Sequence, residues 1–262
     1  VAKLPITLAQ IQIAAGDVRK NYGTLERIAA EAAACKSRMI VLPELWSTGY
    51  VLENAKEHAS ELNKGMFAQL SNLATQHKLC ITGSILEKRG VEVANGMPFF
   101  APNGRMMGIY RKIHLFRMMD EDKYLAAGAS PLVLDLPWGV TGFAICYDLR
   151  FPELFRKYAL EEKAKVVIIS AEWPAVRIEH WRALMVARAI ENQCFMVAVN
   201  AAGETAGTVY GGHSMIVDPW GKIIVEAGED PQTITVDIEL DVVDEVRQRL
   251  PALEDVRYDV YK

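Results

Sequence analysis

The sequence predicts an α/β fold made of two mixed β-sheets packed face to face, with helices on their outer sides. Strand and helix signals alternate through the first third of the chain, which is the βαβ pattern of a sheet covered by helices. About ten strand-like runs stand against about five helical ones, more strands than a simple doubly wound sheet holds. Several of those runs are continuously apolar, as strands buried on both faces must be. At 262 residues, 51% hydrophobic and 24% charged, the chain can bury a large core and is not a disordered one. No Ser/Gly-rich linker divides it, so residues 1–262 are read as a single domain.

In chain order, Pro5–Ile13 reads as a strand, and Thr24–Lys36 as a helix rich in Ala, Glu and Leu and ended by polar Ser37 and Arg38. Met39–Pro43 is a short apolar strand. Met66–Lys78 is helical because Met66, Leu70, Leu73 and Ala74 recur at helical spacing, and Leu79–Glu87 returns as a strand. Asn103-Gly104 and Pro219-Trp220-Gly221 are turn signals. They join Met97–Ala101 to Arg105–Arg111, and His213–Val217 to Lys222–Ala227, in hairpins of one form, strand-Pro-x-Gly-strand, a hint of internal duplication. Val140–Cys146, Val166–Ser170 and Phe195–Asn200 are buried strands separated by helical Pro152–Glu161 and Ile178–Asn192. Thr233–Ile238 is a late strand and Val242–Arg249 a late helix. From Pro251 the chain turns polar and aromatic, with Arg257, Tyr258 and Tyr261, and is read as a frayed tail or an arm on a partner subunit.

Twenty-nine Lys and Arg against 33 Asp and Glu leave a net charge of -4, so no basic field is available for nucleic acid or an acidic membrane. The longest apolar runs fall far short of the roughly 18 residues that cross a bilayer. Thr7, Gln10 and Gln12 interrupt the N-terminal run, which therefore lacks a secretory leader's apolar segment. Cys35, Cys80, Cys146 and Cys194 contain no C-x-x-C pair, so reduced thiols in a cytoplasmic setting are expected.

Three polar residues stand where buried strands end: Glu44 after Met39–Pro43, Lys112 after Gly108–Arg111, and Cys146 closing Val140–Ile145. Ligands collect at the carboxyl ends of strands in open α/β sheets, so the three can share a cleft. Singly, a cap carboxylate, a solvated lysine and a packed thiol are the ordinary readings. Cys35, Cys80 and Cys194 have the packing contexts. Cys146 instead precedes the polar turn Tyr147-Asp148-Leu149-Arg150 before a helix, where backbone N–H groups can lower a thiol's pKa and bind an oxyanion. Histidine is the usual base for such a thiol. His114, His180 and His213 can be buried, whereas His58 and His77 have solvated contexts, and a buried carboxylate can do the same work. No H-E-x-x-H, no strand-linked G-x-G-x-x-G and no Walker sequence is present, so no metal or organic cofactor is expected.

Val41-Leu42-Pro43-Glu44-Leu45, then Tyr110-Arg111-Lys112-Ile113-His114-Leu115-Phe116, then Cys146-Tyr147-Asp148-Leu149-Arg150-Phe151-Pro152-Glu153 resemble, in order and spacing, the signature blocks of the nitrilase (carbon–nitrogen hydrolase) superfamily. The resemblance runs nearly end to end. It implies an α/β four-layer αββα sandwich of two mixed β-sheets, in agreement with the strand count, and subunits paired as a homodimer through helices. It also implies that Cys146 is the nucleophile, Glu44 the general base and Lys112 the electrostatic stabiliser, with Glu121 as a second glutamate orienting the lysine. The Tyr147 backbone N–H would join Lys112 at the oxyanion.

The form Cys-Tyr-Asp-x-Arg-Phe-Pro-Glu is similar to the amidase-like branch rather than to true nitrilases, and this branch includes ω-amidases. The implied activity is hydrolysis of the terminal amide of a small-molecule ω-amide through a thioester. A guanidinium fork suits the distal carboxylate of such a substrate, and Arg177, in the loop after Trp173-Pro174, is the candidate. Tyr50 and Trp173 would wall the pocket, while Arg150 is expected to be tied to Glu153. An N-carbamoyl amino acid hydrolase, a short-chain amidase or nitrilase, a silent scaffold of the same fold, and a Cys-His enzyme using His180 or His213 are the alternatives.

Overall fold

In the computed structural model, which describes residues 3–257 and 259–260, the chain runs a similar course twice. The first pass is β1 (Lys3–Gln10), α1 (Val18–Ala34), β2 (Met39–Val41), the short α2 (Ala55–His58), α3 (Gly65–His77) and β3 (Cys80–Thr82), then the antiparallel strands β4 (Ile85–Arg89), β5 (Glu92–Phe100) and β6 (Met106–Arg111). After the short α4 (Glu121–Tyr124) and β7 (Val133–Leu136) the second pass begins: β8 (Gly139–Ile145), α5 (Pro152–Leu160), β9 (Val166–Ala171), α6 (Ile178–Asn192) and β10 (Phe195–Asn200). A small hairpin of β11 (Ala202–Thr205) and β12 (Thr208–Gly211) precedes β13 (Met215–Val217) and β14 (Ile223–Glu226), and β15 (Gln232–Glu239) and α7 (Asp241–Arg249) close the chain.

Each pass builds a sheet around three parallel strands, β1-β2-β3 and β8-β9-β10. In both, an antiparallel hairpin pairs with the third strand, β5 with β3 and β13 with β10. In both, an antiparallel neighbour covers the first strand, β15 on β1 and β7 on β8. The sheets are seven- and six-stranded, with β11 and β12 forming a separate pair.

Side-chain alternation turns these sheets into layers. Ile6, Leu8, Met39 and Val41 face Phe143, Val166, Ile168 and Val197 of the other sheet in an apolar core. Their neighbours Ile40, Leu42 and Ile81 face the opposite way, onto Leu25, Ile28, Phe67, Leu70 and Leu73 of α1 and α3. Helices α5 and α6 cover the second sheet with Phe155, Tyr158, Trp181 and Met185. The result is the expected four-layer αββα sandwich. Burial of both strand faces is why the runs read as continuously apolar.

Element boundaries depart from the sequence reading for local reasons. Helix α1 begins at Val18, well before Thr24, because the Asp17 side chain accepts from the Lys20 N–H at 3.0 Å and caps it. Leu79–Glu87 is two strands, broken at Gly83, where an added Cβ would lie 2.4 Å from the Leu42 Cβ. Strand β1 ends at Gln10, and the Ile11 and Ile13 carbonyls turn instead to the Ala202 N–H and the Thr205 hydroxyl of the small hairpin. Of the C-terminal aromatic residues, Tyr258 and Tyr261 lie outside the described residues. Among the described residues no helix is long and apolar enough to cross a membrane.

Candidate active site

The carboxyl ends of β2, β6, β8 and β9 converge, and the two sheets are tied together there: the Ser170 hydroxyl donates to the Leu42 carbonyl at 2.8 Å. Glu44 lies just past β2 and is fully buried. Its Oε1 accepts from Lys112 Nζ at 2.7 Å and from Asn95 Nδ2 at 2.8 Å, and its Oε2 accepts from the Glu172 N–H at 3.1 Å.

Lys112, the first residue beyond β6, is the buried cation of this cluster. Its Nζ reaches Glu44 and, at 2.6 Å, Glu121 Oε1, with the Tyr50 hydroxyl at 3.3 Å. Burial works against its charge, but the two carboxylates outweigh burial and hold the ammonium's pKa above its ordinary value. Glu121, at the start of α4, also accepts from the Tyr50 hydroxyl at 2.7 Å and from the Phe116 N–H at 2.6 Å. Burial lifts its carboxyl above the usual range, with Lys112 pulling the other way.

Cys146 follows β8 at a backbone φ of 44°, a left-handed conformation that costs a non-glycine residue about 1–3 kcal/mol and marks a forced turn. Its Sγ lies 3.8 Å from the Glu172 carbonyl. Burial and then the Glu44 charge raise the thiol's pKa well above normal, with Lys112 opposing. This corrects the expectation that the turn would lower it. The backbone N–H of Ile145, which opens the turn, is taken by the Asp148 carboxylate at 2.9 Å, and the thiol itself is buried beside Glu44. The resting group is a thiol that needs a base.

Asp148 locks this arrangement. Its buried carboxylate accepts from the Tyr110 hydroxyl at 2.8 Å, the Ile145 N–H, the His114 N–H at 3.0 Å and the His114 ring at 2.7 Å. Tyr110 and His114 flank Lys112 along the chain, so one carboxylate joins the lysine strand to the cysteine turn. A narrow cleft opens over Cys146, lined by Tyr50, Phe116, Tyr147, Arg150, Glu172, Trp173, Pro174 and Arg177.

The chain matches the carbon-nitrogen hydrolase family over residues 6–248. It belongs to that family. The hydrolase is similar to a 2-oxoglutaramate amidase of Bacillus subtilis, 38% identical over 99% of this chain and 100% of that one. It is 31% identical to an omega-amidase of Homo sapiens over 97% and 96% of the two chains. Among solved structures, a CN-hydrolase superfamily protein of Xanthomonas campestris superposes with a TM-score of 0.93 at 30% identity, over 98% of each chain.

The structure brings Glu44, Lys112, Glu121 and Cys146 together and sets Tyr50, Tyr147, Trp173 and Arg177 around the hydrolase's cleft. Arg150 differs from expectation. It is not tied to Glu153; its guanidinium lies 4.6 Å from the centre of the Trp173 ring and reaches His180 Nδ1 at 3.4 Å. The 3₁₀ turn Cys146–Arg150 aims it into the cleft rather than along α5. Arg177 lies over the Phe116 ring at 5.6 Å, and its carbonyl accepts from the Trp173 indole at 2.8 Å. Among the described residues no histidine lines the cleft: His213 bonds Glu226 at 3.0 Å and His180 is exposed. Among the described residues no cluster of His, Cys, Asp or Glu is arranged to hold a metal ion. Sequence reasoning missed Asn95, Asp148, Arg150 and Glu172. Asn95 and Glu172 carried a signal, each a polar residue within or just past a buried apolar strand.

Proposed function

We propose that this hydrolase cleaves the terminal amide of a small ω-amide bearing a carboxylate at its far end, with 2-oxoglutaramate as the type, releasing ammonia. The observation that carries the proposal is the pair of guanidiniums at the cleft. Arg150 and Arg177 both line it, and burial followed by the Arg177 charge lowers the Arg150 pKa, so the two repel and await an anion. The amidase of Bacillus subtilis acts, by its name, on a substrate of this kind.

In the proposed reaction Glu44 takes the Cys146 proton and the thiolate attacks the amide carbon. The oxyanion forms against the Lys112 ammonium and the Tyr147 N–H. Collapse breaks the C–N bond as Glu44 returns its proton to departing ammonia, leaving a thioester on Cys146. Water then attacks, its proton passing to Glu44, and the acid leaves as the thiol re-forms. Glu121 and Tyr50 hold the ammonium in place through their hydrogen bonds. Trp173 and Tyr50 wall the substrate chain.

A panel of 2-oxoglutaramate, succinamate, propionamide and a simple nitrile, read by ammonia release, tests the assignment. The carboxylate-bearing amides are expected to lead, and Arg177→Gln to lower their kcat/KM about 10–100-fold, the value of a charge-assisted hydrogen bond, while sparing propionamide. Propionamide as the preferred substrate would remove the distal carboxylate from the proposal.

We also infer that the hydrolase pairs as a homodimer through its helical face. Ile190 on α6, Trp220 between β13 and β14, and Leu250 after α7 are exposed apolar side chains. Sedimentation should show a dimer, and Trp220→Glu should dissociate it. A cytoplasmic setting is inferred from Cys35, Cys80, Cys146 and Cys194, all unpaired.

A further inference from the structure

The Glu172 carboxyl stands beside this chemistry without a part in it. It lies just past β9, is 1% exposed, and among the described residues neither of its oxygens has a partner at good hydrogen-bond geometry, although the Tyr210 phenol stands close by. An unpartnered buried carboxylate costs several kcal/mol, so the group needs an explanation.

Its surroundings supply one. The titratable and charged groups that face it or the same cluster are Glu44, Lys112, Glu121, Tyr50, Tyr210 and Cys146, with Arg150 and Arg177 on the wall of the cleft. Lys112 already bridges Glu44 and Glu121, at 2.7 and 2.6 Å. A third negative charge has no ion pair within reach, since Arg150 and Arg177 line the same cleft but neither bonds Glu172, and like charges in one buried site cannot all ionise. Burial and then the Glu44 charge accordingly push the Glu172 pKa well above the carboxylate range, while the nearby Tyr210 phenol and Lys112 favour ionisation.

The reaction proposed above is sensitive to charge at this spot. The Glu172 backbone touches both reacting partners, its N–H at Glu44 and its carbonyl at the Cys146 Sγ. An ionised side chain there would oppose both thiolate formation and growth of the oxyanion.

We propose that Glu172 is a neutral carboxylic acid in the working enzyme, a positioning residue that keeps the cluster at one lysine and two carboxylates, and that loss of its proton to solvent at alkaline pH shuts the site down. This rests on Cys146 as nucleophile and Glu44 as base.

Infrared difference spectroscopy of wild type minus Glu172→Gln at neutral pH tests the charge state. A carbonyl band of a protonated carboxylic acid is expected, and its absence overturns the proposal. Following that band and kcat on one alkaline titration tests the switch. The two should fall together, the rate dropping about tenfold per pH unit beyond the shared midpoint, as for any single proton. In Glu172→Gln, which mimics the neutral acid, that limb should move up by at least about one pH unit. A rate that falls while the band persists, or a limb unmoved in a folded Glu172→Gln protein, overturns the switch. So does an equal loss of activity at every pH. Cys146→Ala separates the two ideas: residual turnover there would remove the nucleophile assignment, whereas the infrared band bears on Glu172 alone.

Discussion

Glu44 and Glu172 occupy the same place in the two passes of the chain, each just past the middle parallel strand of its sheet, β2 in one and β9 in the other. Both are fully buried, yet their settings are opposite. Glu44 accepts three hydrogen bonds, from Lys112, Asn95 and the Glu172 N–H. Among the described residues Glu172 accepts none at good geometry, with the Tyr210 phenol close by. The difference comes from what the rest of each sheet delivers to that spot. In the first pass β5 brings Asn95 and β6 leads into Lys112, whereas the second pass sets Tyr210 of the small hairpin beside Glu172. Burial alone favours the protonated carboxyl; donors arranged around it favour the carboxylate that can take a proton.

Substitutions at the furnished carboxylate should have the largest effect. Glu44→Gln keeps the shape and removes the proton acceptor, and should lower kcat roughly 10³-fold or more, with the fold intact by circular dichroism. Activity within about tenfold of wild type, less than a general base contributes, would break the comparison at its catalytic end.

Lys112→Met tests the cation on which the furnished side depends. It leaves Glu44 and Glu121 facing each other without a counter-charge, a change worth about 3–5 kcal/mol in buried pairs. Denaturant unfolding should show that loss at neutral pH, and a smaller one at acid pH, where one carboxyl takes a proton and relieves the repulsion.

The unfurnished carboxyl has its own signature in stability. Its folded pKa is raised, so between the unfolded value and that raised value the native state holds a proton that the unfolded chain has released. Stability attached to Glu172 is therefore full below the unfolded pKa and is lost as pH rises, by about 1.4 kcal/mol per unit, until the folded pKa is passed. Glu172→Gln does not titrate. Compared with wild type it should gain stability steadily from about pH 4.5 upward. Parallel stability curves for the two proteins would mean that Glu172 has a partner in solution.

Much of this site was legible because polar residues ending continuously apolar strands stand out. That rule selects Glu44, Lys112 and Cys146, and it applies equally to Glu172, past Val166–Ser170. The αββα layering was legible for the same reason, since only strands covered on both faces read as unbroken apolar runs. Glu121 needed the family resemblance. Its position depends on Asp120 at φ 56° and on the Phe116 N–H, and no periodic pattern records either. Arg150 was assigned to Glu153 because sequence shows only near neighbours, whereas its contact, Trp173, arrives from the next strand-end loop. Asp148 was hidden similarly, as its donors come from β6, β8 and the loop after Lys112.

The smallest expected effect compares the two passes at their first helices. Helix α1 is capped by the Asp17 side chain, while α5 has no side-chain cap and begins with Pro152 after Phe151. Proline at the first helical position has no N–H to satisfy and is already set at a helical φ, so α5 starts without a capping carboxylate. Asp17→Ala should therefore cost about 1 kcal/mol by leaving the Lys20 N–H without its acceptor, and Asp17→Asn only a fraction of that. Pro152→Ala adds an N–H at an end where such groups are free in any case, and should shift the unfolding midpoint less than Asp17→Ala does. The reverse order in thermal melts would mean that the first pass is held at its helix by packing and the second by the preset backbone of Pro152. Neither substitution touches the cleft, so kcat should stay at the wild-type value in both.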